Sequence, residues 1–525
     1  MAAVNMYHSC TLLIVALCFV SPLYGYRFLI LGGDGSGSHF YVATAIGQDL
    51  AQRGHNVTVV ISDMYADDPS STKDGDLFKY YVYKSLVTKE RFQKLVADIV
   101  DISLGQVDFT SVLKLNALAE VLMRDQCKSI FIDMPILERL KEEKFDLIIG
   151  DLWYICVGLV AQFMDVPFVT LTPHGMMSIQ SQVNMCPTNP AFIPDMITGL
   201  DTKMTFMERV VNTLTVTLNS FMNRRMLLHY DQLKIKHNIK PEISTFKTLG
   251  QAEFWFINTH FVLDFPRPLM PNAVAVGGLT TRPARPLEKD LDSFMQSSDD
   301  DGVIIFSLGS YASITKQELA DLIGDTFAQI PQKVIWRARG KIPRNPPKNV
   351  KFMDVIPQND LLGHPKTKLL IYQCGLNGVY EAIYHGVPII CLPIFFDQYD
   401  NAQRVASRGI GLRLNIADLT SDILLEAIHA IFDDDKYRTN MARVSSIFRD
   451  DPKTPPQRAA DWAEFAVKHG GAHLRSAAHD LTFWQYHLVD VWAFLIGCLV
   501  AILILLFSMC RCVFRVCSSR KAKQE

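Results

Sequence analysis

Short apolar runs alternate with amphipathic helical stretches along most of this chain, and that alternation restricts its fold more than any other feature. Arg27–Leu31 reads as a strand, the turn GGDGSGSHF follows, and Tyr41–Arg53 reads as a helix. Val57–Ser62 is the next strand, and Phe145–Gly150 and Pro167–Leu171 are two more with a helix between them. Strands separated by helices imply crossover connections, and hence a parallel sheet with helices on its faces. Residues 190–265 look more helical and irregular. The pattern then resumes with strand Val303–Leu308, helix Gln317–Gln329, and strands Val334–Arg337, Val350–Met353 and Lys368–Ile371. Pro266, Pro268, Pro271, Pro283 and Pro286 fall between the two series and place a linker near 280–290. The expectation is an α/β chain with two parallel-sheet domains, since the roughly 465 residues between the two ends exceed one core.

The ends point to a membrane. Residues 11–20, TLLIVALCFV, with Ser21, Pro22 and Gly25 after them, read as a secretory signal peptide over 1–25, although no Lys or Arg precedes the run. Val491–Cys510 holds 20 uncharged residues between Asp490 and Arg511. At about 1.5 Å per residue this crosses a hydrocarbon core of about 30 Å. Arg511, Arg515, Arg520, Lys521 and Lys523 make 511–525 a basic cytosolic tail, so 26–490 is expected on the lumenal side of a single-pass type I protein. The ending KAKQE resembles a dilysine retrieval signal of the endoplasmic reticulum membrane.

Composition excludes little else. A formal net charge of −2 gives no footprint for nucleic acid. Outside the two ends lie Cys127, Cys156, Cys186, Cys374 and Cys391, odd in number, scattered, and without metal-ligand spacing. A disulfide framework is not expected from them, though one bridge could form. The single glycosylation triplet, Asn56-Val57-Thr58, runs into an apolar strand and is expected to go unused.

The sharpest local feature is YQCGLNGVYEAIYHGVP over 372–388. Gly375 and Gly378 lead from a strand into a helix that Gly386 and Pro388 end. Backbone N–H groups at such a turn, and the positive end of the helix dipole, favour a phosphate. The carboxyl edge of an open parallel sheet is also where ligands bind.

The wider run Val355–Asn401 makes this specific. Pro357-Gln358, Gly363-His364-Pro365, Gly375, Asn377-Gly378, Glu381, His385-Gly386-Val387-Pro388, Pro393 and Asp397-Gln398 resemble the signature of the UDP-glycosyltransferase family, in particular its membrane-bound animal, glucuronosyltransferase-like members. The resemblance covers the whole chain. It implies the GT-B fold of two facing Rossmann-like domains, with an acceptor domain over 26–285, a UDP-sugar domain over 286–480, and a span over 491–510.

The resemblance also assigns roles. His39 is implied as the general base that takes the acceptor's hydroxyl proton, and Asp151 as the acid that holds its other ring nitrogen. Ser310 is implied as a phosphate contact, Arg337 and Gln358 as uridine contacts, and Gln373, Gly375, Asn377 and Gly378 as the diphosphate turn. Glu381 is implied to accept from the ribose hydroxyls, and Asp397 and Gln398 to hold the sugar. The implied reaction is inverting transfer of glucuronic acid, glucose or a related hexose to a small lipophilic acceptor. UDP-sugar is the co-substrate, and no further cofactor or metal is called for. Association with itself or with related transferases stays open.

Three departures cluster at the nucleotide. Val355 stands where the family carries a Trp that stacks on uracil. Tyr372-Gln373-Cys374-Gly375 stands for Thr-His-Gly-Gly, so Gln373 cannot carry charge and Cys374 is expected to add bulk beside the phosphates. A second reading follows from them, that of a non-catalytic binding or regulatory relative. Two other motifs carry less. GGDGSGSH has G-x-G-x-G spacing rather than the G-x-G-x-x-G of a dinucleotide turn. Asp299-Asp300-Asp301 precedes a strand and reads as a solvated loop rather than a metal motif.

Overall fold

The computed structural model describes residues 25–104 and 109–521. The expected signal peptide up to residue 24 and the tail beyond 521 lie outside these residues. Two all-parallel sheets are present. The first has seven strands in the order β3-β2-β1-β4-β5-β6-β7. These are β1 Arg27–Leu31, β2 Asn56–Ser62, β3 Phe78–Tyr83, β4 Leu147–Asp151, β5 Phe168–Thr172, β6 Phe254–Ile257 and β7 Ala273–Ala275. The second has six, in the order β10-β9-β8-β11-β12-β13. They are β8 Val303–Ser307, β9 Lys333–Arg337, β10 Val350–Met353, β11 Thr367–Tyr372, β12 Ile389–Cys391 and β13 Gly411–Arg413.

The central strands β4 and β8 are buried at every position. Continuous apolar runs such as Ile304-Ile305-Phe306 are what a sheet covered on both faces requires. Edge strand β3 reads differently: in FKYYVY, Lys79 and Val82 are exposed while Phe78, Tyr81 and Tyr83 are buried. Lys79 and Val82 are three residues apart and so lie on opposite faces, which leaves this edge strand partly open on both.

The order of strands reverses beside β1 and β4 in the first sheet and beside β8 and β11 in the second. Crevices open at such switch points, outside the strands' carboxyl ends. The residues assigned to the chemistry end one of these strands or lie in the loop or helix that follows it.

Three features differ from the expectations. The 190–265 region contributes strand β6 and a 31-residue helix, Phe206–Lys236, entered through a Thr205/Glu208 capping box. Helix Pro455–His469 follows the second sheet in sequence but packs against the first. Its Ala459, Ala460, Ala463 and Ala466 sit in one core cluster with Ile30, Leu147 and Phe254. Trp462 lies 5.0 Å from the Phe254 ring, and Arg53 of the first lobe pairs with Asp461 and Glu464. Lastly, two disulfides form rather than one: Cys127–Cys156 in the first lobe and Cys374–Cys391 in the second. The register Tyr372↔Cys391 between β11 and β12 brings the second pair together, which spacing along the chain did not indicate.

Residues from Arg475 onward form a separate unit. It consists of two short turns and the 33-residue helix Val489–Lys521. The stretch Val489–Arg515 is long and apolar enough to cross a membrane, the one such helix among the described residues.

Candidate active site

His39 sits in the first turn of helix Gly37–Gln52, just beyond β1. Gly37 has φ +84°, and a Cβ there would lie 1.9 Å from the Tyr311 hydroxyl of the second lobe, so only glycine lets the two lobes approach this closely. Asp151 ends β4, 1 % exposed. One carboxylate oxygen meets His39 Nδ1 at 2.5 Å, and the other accepts the Trp153 N–H at 2.8 Å. Both oxygens are thereby fixed, the imidazole is held by Nδ1, and Nε2 is left for the cavity that His39 lines. Burial opposes charging the ring, but Asp151, with a smaller contribution from Asp397, outweighs it and raises the His39 pKa above the usual value.

Two adjoining cavities occupy the cleft. The smaller, about 180 Å³, is lined by His39, Ser310, Gln373, Gly375, Asn377, Asp397 and Gln398, among others. The larger, about 660 Å³, takes in Ser310, Arg337, Gln358, Asn377, Gly378 and Glu381. Ser38, Ser310, Tyr372 and Asn377 line both, so the two form one continuous groove. Eleven of the twelve residues singled out from sequence thus face it. Asp151 stands behind His39 instead.

The second lobe supplies the larger cavity from the segments after β8, β10 and β11 and from Arg337 at the end of β9. Gln358 Nε2 donates to Glu381 Oε2 at 2.8 Å. Burial pushes the Glu381 carboxyl up to about 7, against the lowering effects of Gln358 and Arg282. Gly378 is packed so tightly that a Cβ would lie 2.5 Å from the Tyr372 ring. Asn377 bridges the lobes, donating to the Ser38 carbonyl at 3.3 Å and approached by Asn258 Nδ2 at 3.4 Å. Gln398 accepts the N–H groups of Ile394 and Phe395 with Oε1, which leaves its NH₂ to donate. Asp397 accepts from Asn401 at 2.8 Å.

The departures resolve into distinct physical situations. Val355 is 71 % exposed and presents no ring. Gln373 is buried, and its Oε1 has no hydrogen-bond partner among the described residues. The bulk expected of Cys374 does not reach either cavity. Its sulfur turns into the core to bond Cys391, and the residue lines neither cavity.

Sequence reasoning missed several groups. His174 follows β5 in Thr172-Pro173-His174, with its ring 5.9 Å from that of His39. Burial, and then His39, lowers its pKa, and its Nε2 has no partner. The position just beyond a strand's carboxyl end was the available signal. Trp153 and Phe396 meet at 5.4 Å across the smaller cavity, Phe396 with φ +53°. Among the described residues no three His, Cys, Asp or Glu side chains gather into a metal site.

Comparison with known proteins adds the following. The family model described as "UDP-glucoronosyl and UDP-glucosyl transferase" matches residues 29–524. UDP-glucuronosyltransferase 2A3 of Cavia porcellus is 37% identical over 489 residues, 91% of each chain. The human protein of that name is 37% identical over 481 residues, 90% of each chain. Human UDP-glucuronosyltransferase 2B15 is 35% identical over 498 residues, 93% of each chain. Among solved structures, the kitacinnamycin glycotransferase superposes with a TM-score of 0.57 at 17% identity, covering 85% of this chain and 99% of that one. The calicheamicin glycosyltransferase superposes with 0.53 at 20% identity and the same coverage. Both share the two-sheet GT-B fold expected from the sequence.

Proposed function

Since the chain belongs to the UDP-glycosyltransferase family and is a glycosyl-transfer enzyme of the glucuronosyltransferase-like kind, we propose that it transfers a sugar from UDP to a hydroxyl of a lipophilic acceptor, using His39 as base. UDP lies in the larger cavity. Arg337 and Gln358 face uridine, and Glu381 accepts from the ribose hydroxyls. The diphosphate rests on the turn Gln373–Gly378 and the N-terminus of the ten-residue helix Leu376–His385, with Ser310 opposite. The sugar passes into the smaller cavity, where Asp397 accepts from its hydroxyls and the Gln398 NH₂ donates. Phe92, Val96, Ile99, Leu122 and Trp153 give the acceptor an apolar wall there.

The acceptor oxygen attacks the anomeric carbon while His39 Nε2 takes its proton. The bond from that carbon to the β-phosphate oxygen breaks, and its electron pair leaves with UDP. Asp151 stabilises the imidazolium that forms. One displacement inverts the anomeric configuration. No metal or further cofactor enters this scheme. An acceptor domain over 26–285 and a donor domain over 286–480 fit the same scheme, with helix Pro455–His469 of the latter packed on the first sheet. A lumenal site in the endoplasmic reticulum, anchored by the helix at 489–515, fits the same reading.

The observation that carries the proposal is the His39–Asp151 contact at 2.5 Å, opening onto the cavity that also holds Asp397 and Gln398. His39→Ala is expected to lower kcat by about 10²–10⁴-fold, the usual worth of a general base, while UDP affinity by calorimetry changes less than about threefold. Turnover that survives the substitution defeats the assignment.

A further inference from the structure

The two cavities differ in charge. Lys73, Arg282, Arg285 and Arg337 line the larger one. Among the described residues no Lys or Arg lines the smaller one, where the charged or chargeable groups other than tyrosine are His39, His174 and Asp397. His39 is already engaged with a buried carboxylate, and His174 is held toward its neutral form. The nearby arginines are committed elsewhere. Arg339 donates to the Ser310 carbonyl and lines neither cavity. Arg404 and Arg267 line a small adjoining cavity that shares His174, Met196 and Asp397 with this one, and both are engaged by other partners. There Arg404 stands 3.1 Å from Asp264 and donates to Asn401, and Arg267 donates to the Met176 carbonyl and Ser181. That cavity also holds Asp195 and Asp400, so its acids outnumber its arginines. Asn258, which reaches toward Asn377 from beneath Pro173, is neutral. The sequence of 105–113 contains no Lys or Arg either.

We propose that the donor is UDP linked to a neutral hexose, and that the sugar subsite discriminates against UDP-glucuronate. The inference rests on the reading above that Asp397 and Gln398 hold the sugar. A hexuronate places a carboxylate on C5 of the ring, inside a half-enclosed cavity that offers no cation and one like charge. An unpaired charge there loses its hydration without compensation. A neutral hexose presents a CH₂OH at the same place, which the Gln398 amide or backbone groups can satisfy. The curated relatives bear the name glucuronosyltransferase, so the proposal separates this chain from them at the sugar and not at the nucleotide.

The test is competition binding on the full-length protein in detergent. UDP-glucose, UDP-galactose and UDP-glucuronate each displace a fluorescent UDP analogue, with or without turnover. At least one neutral hexose donor is expected to bind about a hundredfold more tightly than UDP-glucuronate, the ratio that an uncompensated partly buried charge of about 2.7 kcal/mol gives. UDP-glucuronate binding as tightly as the best neutral donor overturns the proposal. Asp397→Asn, which removes the like charge, is expected to narrow the ratio at least about fivefold, and an unchanged ratio overturns its electrostatic basis. Loss of turnover with every donor, while the binding ratio holds, counts against the transfer reaction and leaves the donor preference standing.

Discussion

The front and back of the cleft are completed to different degrees. In the first lobe the chain His39–Asp151–Trp153 N–H is closed, with every carboxylate oxygen engaged. In the second lobe Gln373 Oε1 has no partner among the described residues, Val355 is exposed, and Glu381 has a carboxyl pushed up to about 7 that accepts from Gln358 at 2.8 Å. Groups that move a proton must already be in place when the substrate arrives, because reorganising them during the reaction adds to the barrier. Groups that only bind can be left for the ligand to complete. Of the three departures from the family signature, Val355 and Gln373 fall on the second kind, while Cys374 is tied to Cys391 in the core.

Asp151→Asn separates the two halves most strongly. It keeps the cap on the Trp153 N–H but removes the charge facing Nδ1. We expect kcat to fall about 10³-fold with UDP affinity nearly unchanged, measured by steady-state kinetics beside calorimetry. Comparable losses in both quantities would erase the distinction between the lobes.

Acidity tests both halves, through different observables. His39 must be neutral to accept a proton, so kcat/KM should climb about tenfold per pH unit on the acidic side, with its midpoint above the ordinary His value because the pKa is raised. UDP affinity should instead strengthen as pH rises through about 7, where Glu381 ionises and can accept two ribose hydroxyls. Glu381→Gln should flatten that binding profile and leave the kinetic limb where it was. The smallest effect expected is that of Val355→Trp. A ring there should tighten UDP about tenfold by stacking, with the acidic limb unmoved. If the limb moves too, the two halves are coupled more closely than their hydrogen bonds indicate.

Much of this arrangement was legible in the chain because it is local. A strand such as Phe28–Leu31 followed by Gly-rich turn and helix states where its carboxyl end lies; His39 follows such an end and Asp151 forms one. The turn Gln373–Gly378 leading from β11 into the helix Leu376–His385 was legible for the same reason. What stayed hidden depends on partners distant in sequence. The edge strand Phe78–Tyr83 is defined by pairing with β2, and short β7 by pairing with β6. Cys374 looked like a steric problem because its neighbour Cys391, on the adjacent strand, cannot be inferred from a separation of 17 residues. The alanine-lined face of Pro455–His469 says that the helix is buried but not against which sheet.

That returning helix has a mechanical consequence. The lobes are joined by two covalent straps, one through the proline-rich segment near 280–290 and one through 450–455, so any opening of the cleft must flex both together. A protease nick in the first strap should leave the pieces co-eluting under native conditions, because Arg53, Asp461 and the Phe254–Trp462 contact still hold the end of the donor fragment to the acceptor lobe. Prompt separation of the fragments would show that this clasp carries little tension.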